Sequence, residues 1–188
     1  VLASLSKNDS GTYPLQVSLL KTQVACDRGD VAAARTQFAQ AEKELKTTED
    51  LILKAEASGI AGRIALLENQ PARAAQDYDR QTDFYRRAGK YRDMATALGS
   101  AGQAYMDANI LLPSLDRFYR SARSLYAQGD ELAALKGVES AIAAGEKAGD
   151  QDSLLRTQAL FNEIRKQVED KKAEESKDTA EEEKKASP

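Results

Sequence analysis

Apolar residues along the chain recur at the spacing of amphipathic helices, and short turn signals interrupt them at regular intervals. No stretch alternates apolar and polar residues over six or more positions, so we do not expect β-strands. The segments DRGDV, NQPA, ANILLP and KAGDQ carry the Gly, Asn and Pro residues that separate helices. The pattern predicts eight helices, near residues 13–28, 30–46, 49–68, 71–88, 91–108, 112–127, 130–147 and 151–168.

The predicted helices repeat with a period of forty residues. At this offset, Phe38 is matched by Tyr78 and Phe118, with no insertion or deletion. One turn position occurs four times at this spacing, as Gly29, Asn69, Asn109 and Gly149. A repeat that cannot bury its apolar face alone stacks on the next one, so the period predicts an array of helical pairs.

Small residues and aromatics occupy fixed positions within each period. The third repeat carries them as Ala101, Gly102, Tyr105, Ser114, Phe118 and Ser121. The second carries Ala61, Gly62, Ala65, Ala74, Tyr78 and Gln81 at the same positions. This pattern resembles the tetratricopeptide repeat over roughly residues 14–168. The resemblance implies an all-α fold, a right-handed α-solenoid of about four stacked helix-turn-helix repeats.

The sequence departs from the family pattern in three places. The family period is about 34 residues, so a period of forty implies longer helices, as in extended tetratricopeptide-like arrays. In the first repeat, the apolar residues Val17, Leu20 and Val24 suggest a one-residue slip of the helix. In the fourth repeat, Gln158 replaces the aromatic, which suits a terminal repeat that acts as a cap.

Composition and charge favour a folded helical chain without nucleic-acid binding. Of the 188 residues, 41% are hydrophobic and 30% charged, as in folded proteins. The chain has a net charge of −3. Residues 169–188 hold eight acidic and five basic side chains and account for all of it, so the rest of the chain is neutral overall. A neutral domain lacks the basic surface that nucleic acid requires. We expect a flexible lead-in (1–12), a repeat domain (13–168) and a charged segment (169–188) that is a frayed helix or a disordered tail.

The residues that most catalytic sites need are missing from the sequence. There is no histidine, and the single cysteine, Cys26, has no partner for nucleophilic chemistry. We therefore predict a protein that is not an enzyme and has no cofactor or bound metal. No apolar run reaches the length of a membrane span. The chain begins with Val1, so we expect an upstream segment to be missing. The sequence leaves the compartment open: cytoplasmic, or periplasmic if a signal or lipoprotein segment was removed.

The family resemblance also implies where a ligand would bind. In tetratricopeptide arrays the first helix of each pair lines a concave groove, which places Gln23, Arg63 and Gln103 in one row. A second row near the edge would contain Gln16, Glu56, Thr96 and Lys136. Amides and one Arg could bind the backbone or carboxylate of an extended peptide. The alternative is that these are ordinary solvated side chains. A further set is either core or an apolar groove: Leu19, Leu20, Ile60, Leu66, Leu67 and Met106.

These observations predict a non-catalytic adaptor or assembly factor that holds a segment of another protein in its groove, with Gln23, Arg63, Gln103 and Lys136 as candidate binding residues. The alternative function is a sensor, regulatory or oligomerisation module excised from a larger protein, which binds a small ligand. An enclosed pocket would favour the alternative, and an open groove would favour the adaptor. The sequence does not specify the partner or the oligomeric state.

Overall fold

The computed structural model describes the backbone of residues 13–186 and the side chains of residues 14–173. Within that span the chain is entirely helical, without a β-strand. The helices are α1 (Tyr13–Asp27), α2 (Val31–Leu45), α3 (Leu51–Leu67), α4 (Pro71–Arg87), α5 (Tyr91–Asp107), α6 (Leu111–Ala127), α7 (Glu131–Ala148) and α8 (Gln151–Ala186). The all-α prediction is confirmed, as is the number of helices within the described residues.

The forty-residue period is present in the helix bounds. Helices α3 and α5 begin and end exactly forty residues apart, and so do α4 and α6. Predicted and observed bounds of the first seven helices agree within two residues. The repeat seen in the sequence is therefore a repeat of structure.

The turn between the two helices of each pair has one conformation throughout the array. Asn69 and Asn109 have φ of 56° and 58°, and the glycines at the matching positions, Gly29 and Gly149, both have φ of 70°. After α3, the Gln70 N–H donates to the Ala65 carbonyl at 2.8 Å, which satisfies a carbonyl at the helix end. Glycine and asparagine are the residues that adopt positive φ most easily, which explains their recurrence at this position.

Each helix packs against the next one along the chain, and α1 also packs against α3. This arrangement is consistent with a helical repeat. The repeated small residues Ala34, Ala74 and Ser114 are fully buried. The repeated aromatics at positions 38, 78 and 118 are also buried, each at 8% exposure or less. Small residues on one helix let its neighbour approach closely, and the aromatic fills the remaining space.

The one-residue slip expected in α1 is wrong. Thr22, at the position of Gly62 and Gly102, is fully buried, whereas Leu20 and Val24 are 61% and 41% exposed. The Thr22 hydroxyl donates to the Ser18 carbonyl at 2.7 Å, so it needs no partner outside its own helix. A threonine can therefore occupy the buried position without a change of register, and the two apolar residues are left at the surface.

Helix α8 is the last element. Its buried residues are Thr157, Leu160 and Ile164, and the helix continues as far as Ala186, through most of the charged segment that begins at residue 169. The lead-in expected for residues 1–12 lies outside the described residues. In the part of the chain that the structure describes, no helix combines the length and the apolar character that a membrane crossing requires.

Candidate binding groove

A groove with a volume of about 550 Å³ runs between the first helices of the first three pairs and has α4 at its base. It is open to solvent, since the side chains along it include the exposed residues Leu20 and Thr96. Fifteen residues line it: Gln16, Leu19, Leu20, Gln23, Glu56, Gly59, Ile60, Arg63, Tyr78, Gln81, Tyr85, Asp93, Thr96, Ala97 and Ser100.

Two glycines of α3 allow side chains of α4 to form the base of the groove. A β-carbon on Gly62 would lie 2.9 Å from Cε1 of the Tyr78 ring, closer than real contacts. A β-carbon on Gly59 would lie 2.8 Å from Cδ of Gln81. Because neither glycine has a side chain, Tyr78 and Gln81 lie directly against α3, and both line the groove.

The wall formed by α1 offers free amides. Gln16 and Gln23 both line the groove and have no hydrogen-bond partner among the described residues. Each amide has an acceptor oxygen and a donor nitrogen, which match the N–H and C=O groups of an extended peptide backbone. Between them lie Leu19 and Leu20, so the same wall offers apolar contact.

One end of the groove contains a cation that already has a counter-charge. The Arg63 guanidinium on α3 donates to the Asp27 carboxylate at the end of α1. Tyr78 and Cys26 lie near this pair, and burial raises the pKa of the Tyr78 phenol. Since Asp27 neutralises Arg63, this end presents little net positive charge to a ligand carboxylate.

The other end of the groove contains acids without a counter-charge. Glu56 on α3 and Asp93 in the first turn of α5 both line it, and neither makes an ion pair among the described residues. Burial, assisted by the charge of Asp50, raises the pKa of Glu56. Burial is also the main cause that raises the pKa of Tyr85, and the charges of Glu56 and Asp93 add to it. Glu56 is near the N-terminus of α3 and Asp93 is near that of α5, which begins forty residues later, and this places both carboxylates at the same end.

The structure brings together some of the residues predicted from the sequence. Gln23 and Arg63 line the groove, as do the second-row residues Gln16, Glu56 and Thr96. Gln103 does not line it, because its amide faces along α5 and donates to Asp107 at 2.7 Å. Lys136 is exposed on α7, beyond the end of the groove.

The sequence interpretation missed the contribution of α4, which supplies Tyr78, Gln81 and Tyr85. One signal was available, since Gln81 is a long residue at a position where the matching residues, Ala41 and Ser121, are small. Gly59 lies opposite Gln81, and Gly99 lies opposite Ser121. A β-carbon on Gly99 would stand 3.6 Å from Ser121 Oγ, which is an ordinary contact. The long side chain is therefore accommodated at the groove and not in the core.

The six apolar residues for which the sequence left core and groove open do not all occupy one of these places. Leu19 and Ile60 are 3% and 7% exposed, and both reach the groove from the core. Leu20 lines the groove and is exposed. Leu66 and Leu67, at the end of α3, are each 40% exposed and lie outside it. Met106 packs against the buried cluster around Phe118.

Outside the groove, the possible chemical sites are the single cysteine and the clusters of acidic side chains. Cys26 is buried, and burial raises the pKa of its thiol. Among the residues that the structure describes, no group of three or more Cys, Asp and Glu side chains is arranged to hold a metal ion. Comparison of the sequence with models of known protein families gives no match, and comparison with curated proteins gives none either.

Proposed function

We propose that this chain is a right-handed α-solenoid of tetratricopeptide-like repeats that works as a non-catalytic adaptor or assembly factor. It holds a segment of a partner protein in the groove between α1, α3 and α5. The observation that carries the proposal is the groove itself, which combines free amides at Gln16 and Gln23 with apolar contact at Leu20 and Ile60.

The shape of the groove favours a peptide over a small molecule. A site for a small ligand buries most of the ligand surface in a concave pocket. Here the groove is open along its length, with Leu20 at 61% exposure on one wall and the exposed Thr96 on another. An open groove with backbone-compatible amides suits an extended segment, and its helical walls are ordered before binding. Binding then orders the ligand more than the receptor.

Selection from a displayed library of short random peptides tests the proposal. We expect the wild-type chain to enrich a set of peptides, and Leu20→Asn, which removes the apolar contact without adding a charge, to lose them. Leu132→Asn is the matched control, because Leu132 is also an exposed leucine (67%) on the first helix of a pair but lies outside the groove.

Circular dichroism and thermal unfolding establish that both variants keep the fold. Since both leucines are exposed, neither substitution buries a polar group, and both variants should unfold close to the wild type. Absence of any enriched peptide for the wild type contradicts the proposal. So does equal loss of binding in Leu20→Asn and Leu132→Asn.

A further inference from the structure

The charges along the groove point to the chemistry of its occupant. Three charged side chains line it: Arg63 at one end, and Glu56 and Asp93 at the other. Arg63 is neutralised by Asp27, which leaves two carboxylates without a counter-charge. The groove therefore carries a net negative charge, although the sequence alone suggested that Arg63 would attract a carboxylate.

The basic side chains nearest to these carboxylates along the helices are engaged elsewhere. Lys54, two residues before Glu56, pairs with Glu49 at 3.8 Å. Arg92, next to Asp93, pairs with Asp130 of another helical pair. Among the residues that the structure describes, no Lys or Arg pairs with Glu56 or Asp93, so both carboxylates are available to a cation that a ligand brings.

The surroundings of the acidic end suit a long cationic side chain. Tyr85 lies beside both carboxylates, and its ring offers an apolar and π surface along which a Lys or Arg stem can lie. Gln81 lines the groove together with Tyr85 and offers an amide beside the same carboxylates. From there, Ile60 and Leu20 continue the groove as an apolar strip.

We infer that the occupant is a peptide segment with a lysine or arginine whose charged group lies between Glu56 and Asp93, while a neighbouring aliphatic side chain contacts Leu20 and Ile60. This inference rests on the proposed function, because it specifies the ligand of the same groove. It excludes acidic segments, whose carboxylates would meet Glu56 and Asp93.

The same peptide selection tests the inference when two further variants are added. Glu56→Gln with Asp93→Asn removes both charges from the groove. Glu139→Gln with Glu146→Gln is the control, since it changes the net charge equally at exposed positions of α7. We expect wild type and control to enrich peptides with a Lys or Arg close to a Leu, Ile or Val, and the groove variant to lose the basic preference.

Fluorescence anisotropy with one enriched peptide gives the magnitude. Two partly exposed ion pairs are worth about a threefold to tenfold change in Kd, so the groove variant should bind about that much more weakly than the control. Replacement of the basic residue of the peptide by Ala should weaken binding to the wild type similarly and leave binding to the groove variant unchanged.

Three results would overturn the inference. Enrichment of peptides without a basic residue, or of acidic peptides, contradicts the cation but leaves the groove as the binding surface if Leu20→Asn still loses them. Equal affinity of the groove variant and the control for a basic peptide contradicts the roles of Glu56 and Asp93. Absence of any enriched peptide for the wild type removes the proposed function together with the inference.

Discussion

The side-chain amide of Gln81 lies directly against Gly59, and a β-carbon at Gly59 would stand 2.8 Å from Gln81 Cδ. Three residues further along α3, Gly62 faces the ring of Tyr78, where a β-carbon would stand 2.9 Å from Cε1. The Gln81 amide can rotate away because it ends a flexible side chain. The Tyr78 ring is rigid and buried at 7% exposure. Gly62 therefore faces a rigid ring and Gly59 a flexible amide, although both of these α4 side chains line the groove.

The two glycines should respond differently to the same substitution. We expect Gly62→Ala to lower the free energy of unfolding by about 1–3 kcal/mol, because the added methyl group would press on the Tyr78 ring, which is rigid and 7% exposed. Gly59→Ala should stay within about 1 kcal/mol of the wild type, because the gain in helix propensity offsets the rotation of Gln81. Urea unfolding measures both values, and equal losses would contradict this difference between a rigid and a flexible neighbour.

Among the side chains that the structure describes, the buried Asp77 carboxylate has a single partner. It is 1% exposed, Arg80 donates to its Oδ1, and its Oδ2 accepts no hydrogen bond. We expect Arg80→Ala to cost about 1–3 kcal/mol of unfolding free energy, since it leaves the carboxylate without its only partner. The double variant Asp77→Ala with Arg80→Ala should be more stable than Arg80→Ala alone. Chemical unfolding of all four members of the cycle checks this, and strictly additive losses would contradict it.

Glu56 should make the fold less stable at neutral pH than at acid pH. Burial and the charge of Asp50 raise its folded-state pKa. Among the described residues, no cation pairs with Glu56 to lower that pKa again. For a carboxyl whose pKa is higher in the folded state, stability is present below the unfolded pKa and is lost as the pH rises through the folded pKa. Glu56→Gln should therefore be more stable than the wild type at pH 7.

The difference should disappear near about pH 3, where glutamate is protonated in both states. Thermal unfolding at the two pH values measures it, with Glu139→Gln, at an exposed position on α7, as the control. An equal effect of Glu56→Gln at both pH values would indicate lost packing and not a removed charge.

One buried phenol, Tyr78, and two half-buried ones, Tyr85 and Tyr105, should limit stability at alkaline pH. Burial is the main cause that raises the pKa of Tyr78, Tyr85 and Tyr105, and Asp79 adds to it by accepting a hydrogen bond from Tyr105 at 2.8 Å. An unfolded phenol ionises near about pH 10 while the folded one resists, so stability falls as the pH rises above that value.

Circular dichroism as a function of pH gives the midpoint of alkaline unfolding. Tyr78→Phe should move the midpoint upward, because it removes a phenol that must ionise on unfolding. Tyr91→Phe is the control, at an exposed position (57%). An unchanged midpoint in Tyr78→Phe would contradict the account.

Most of the fold could be predicted from the sequence because its signals are local. Helix ends follow from Gly, Asn and Pro at turns, and the period follows from small and aromatic residues that must pack. The register of α1 could not be predicted, because the burial of Thr22 depends on a hydrogen bond to Ser18 that composition does not reveal. Gln158 stands at the predicted aromatic position but is exposed, while Thr157 beside it is buried.

The binding groove was predictable only in part, for a geometric reason. The offset of forty correctly relates Gln16, Glu56 and Thr96, which all line the groove. It fails for Gln103, because the lining residues of α5 lie nearer its N-terminus than those of α3, beginning at Asp93. The pairing of Arg63 with Asp27 likewise joins residues on two helices, which a repeat pattern does not reveal.

The central claim is that the groove between α1, α3 and α5 holds a partner segment, and backbone amide NMR tests it most directly. Titration of the wild-type chain with an enriched peptide should shift the amide resonances of Gln16, Gln23, Glu56 and Thr96, and leave those of α7 and α8 unchanged. Shifts confined to α6–α8, or no shifts at concentrations where the peptide binds, would contradict the claim.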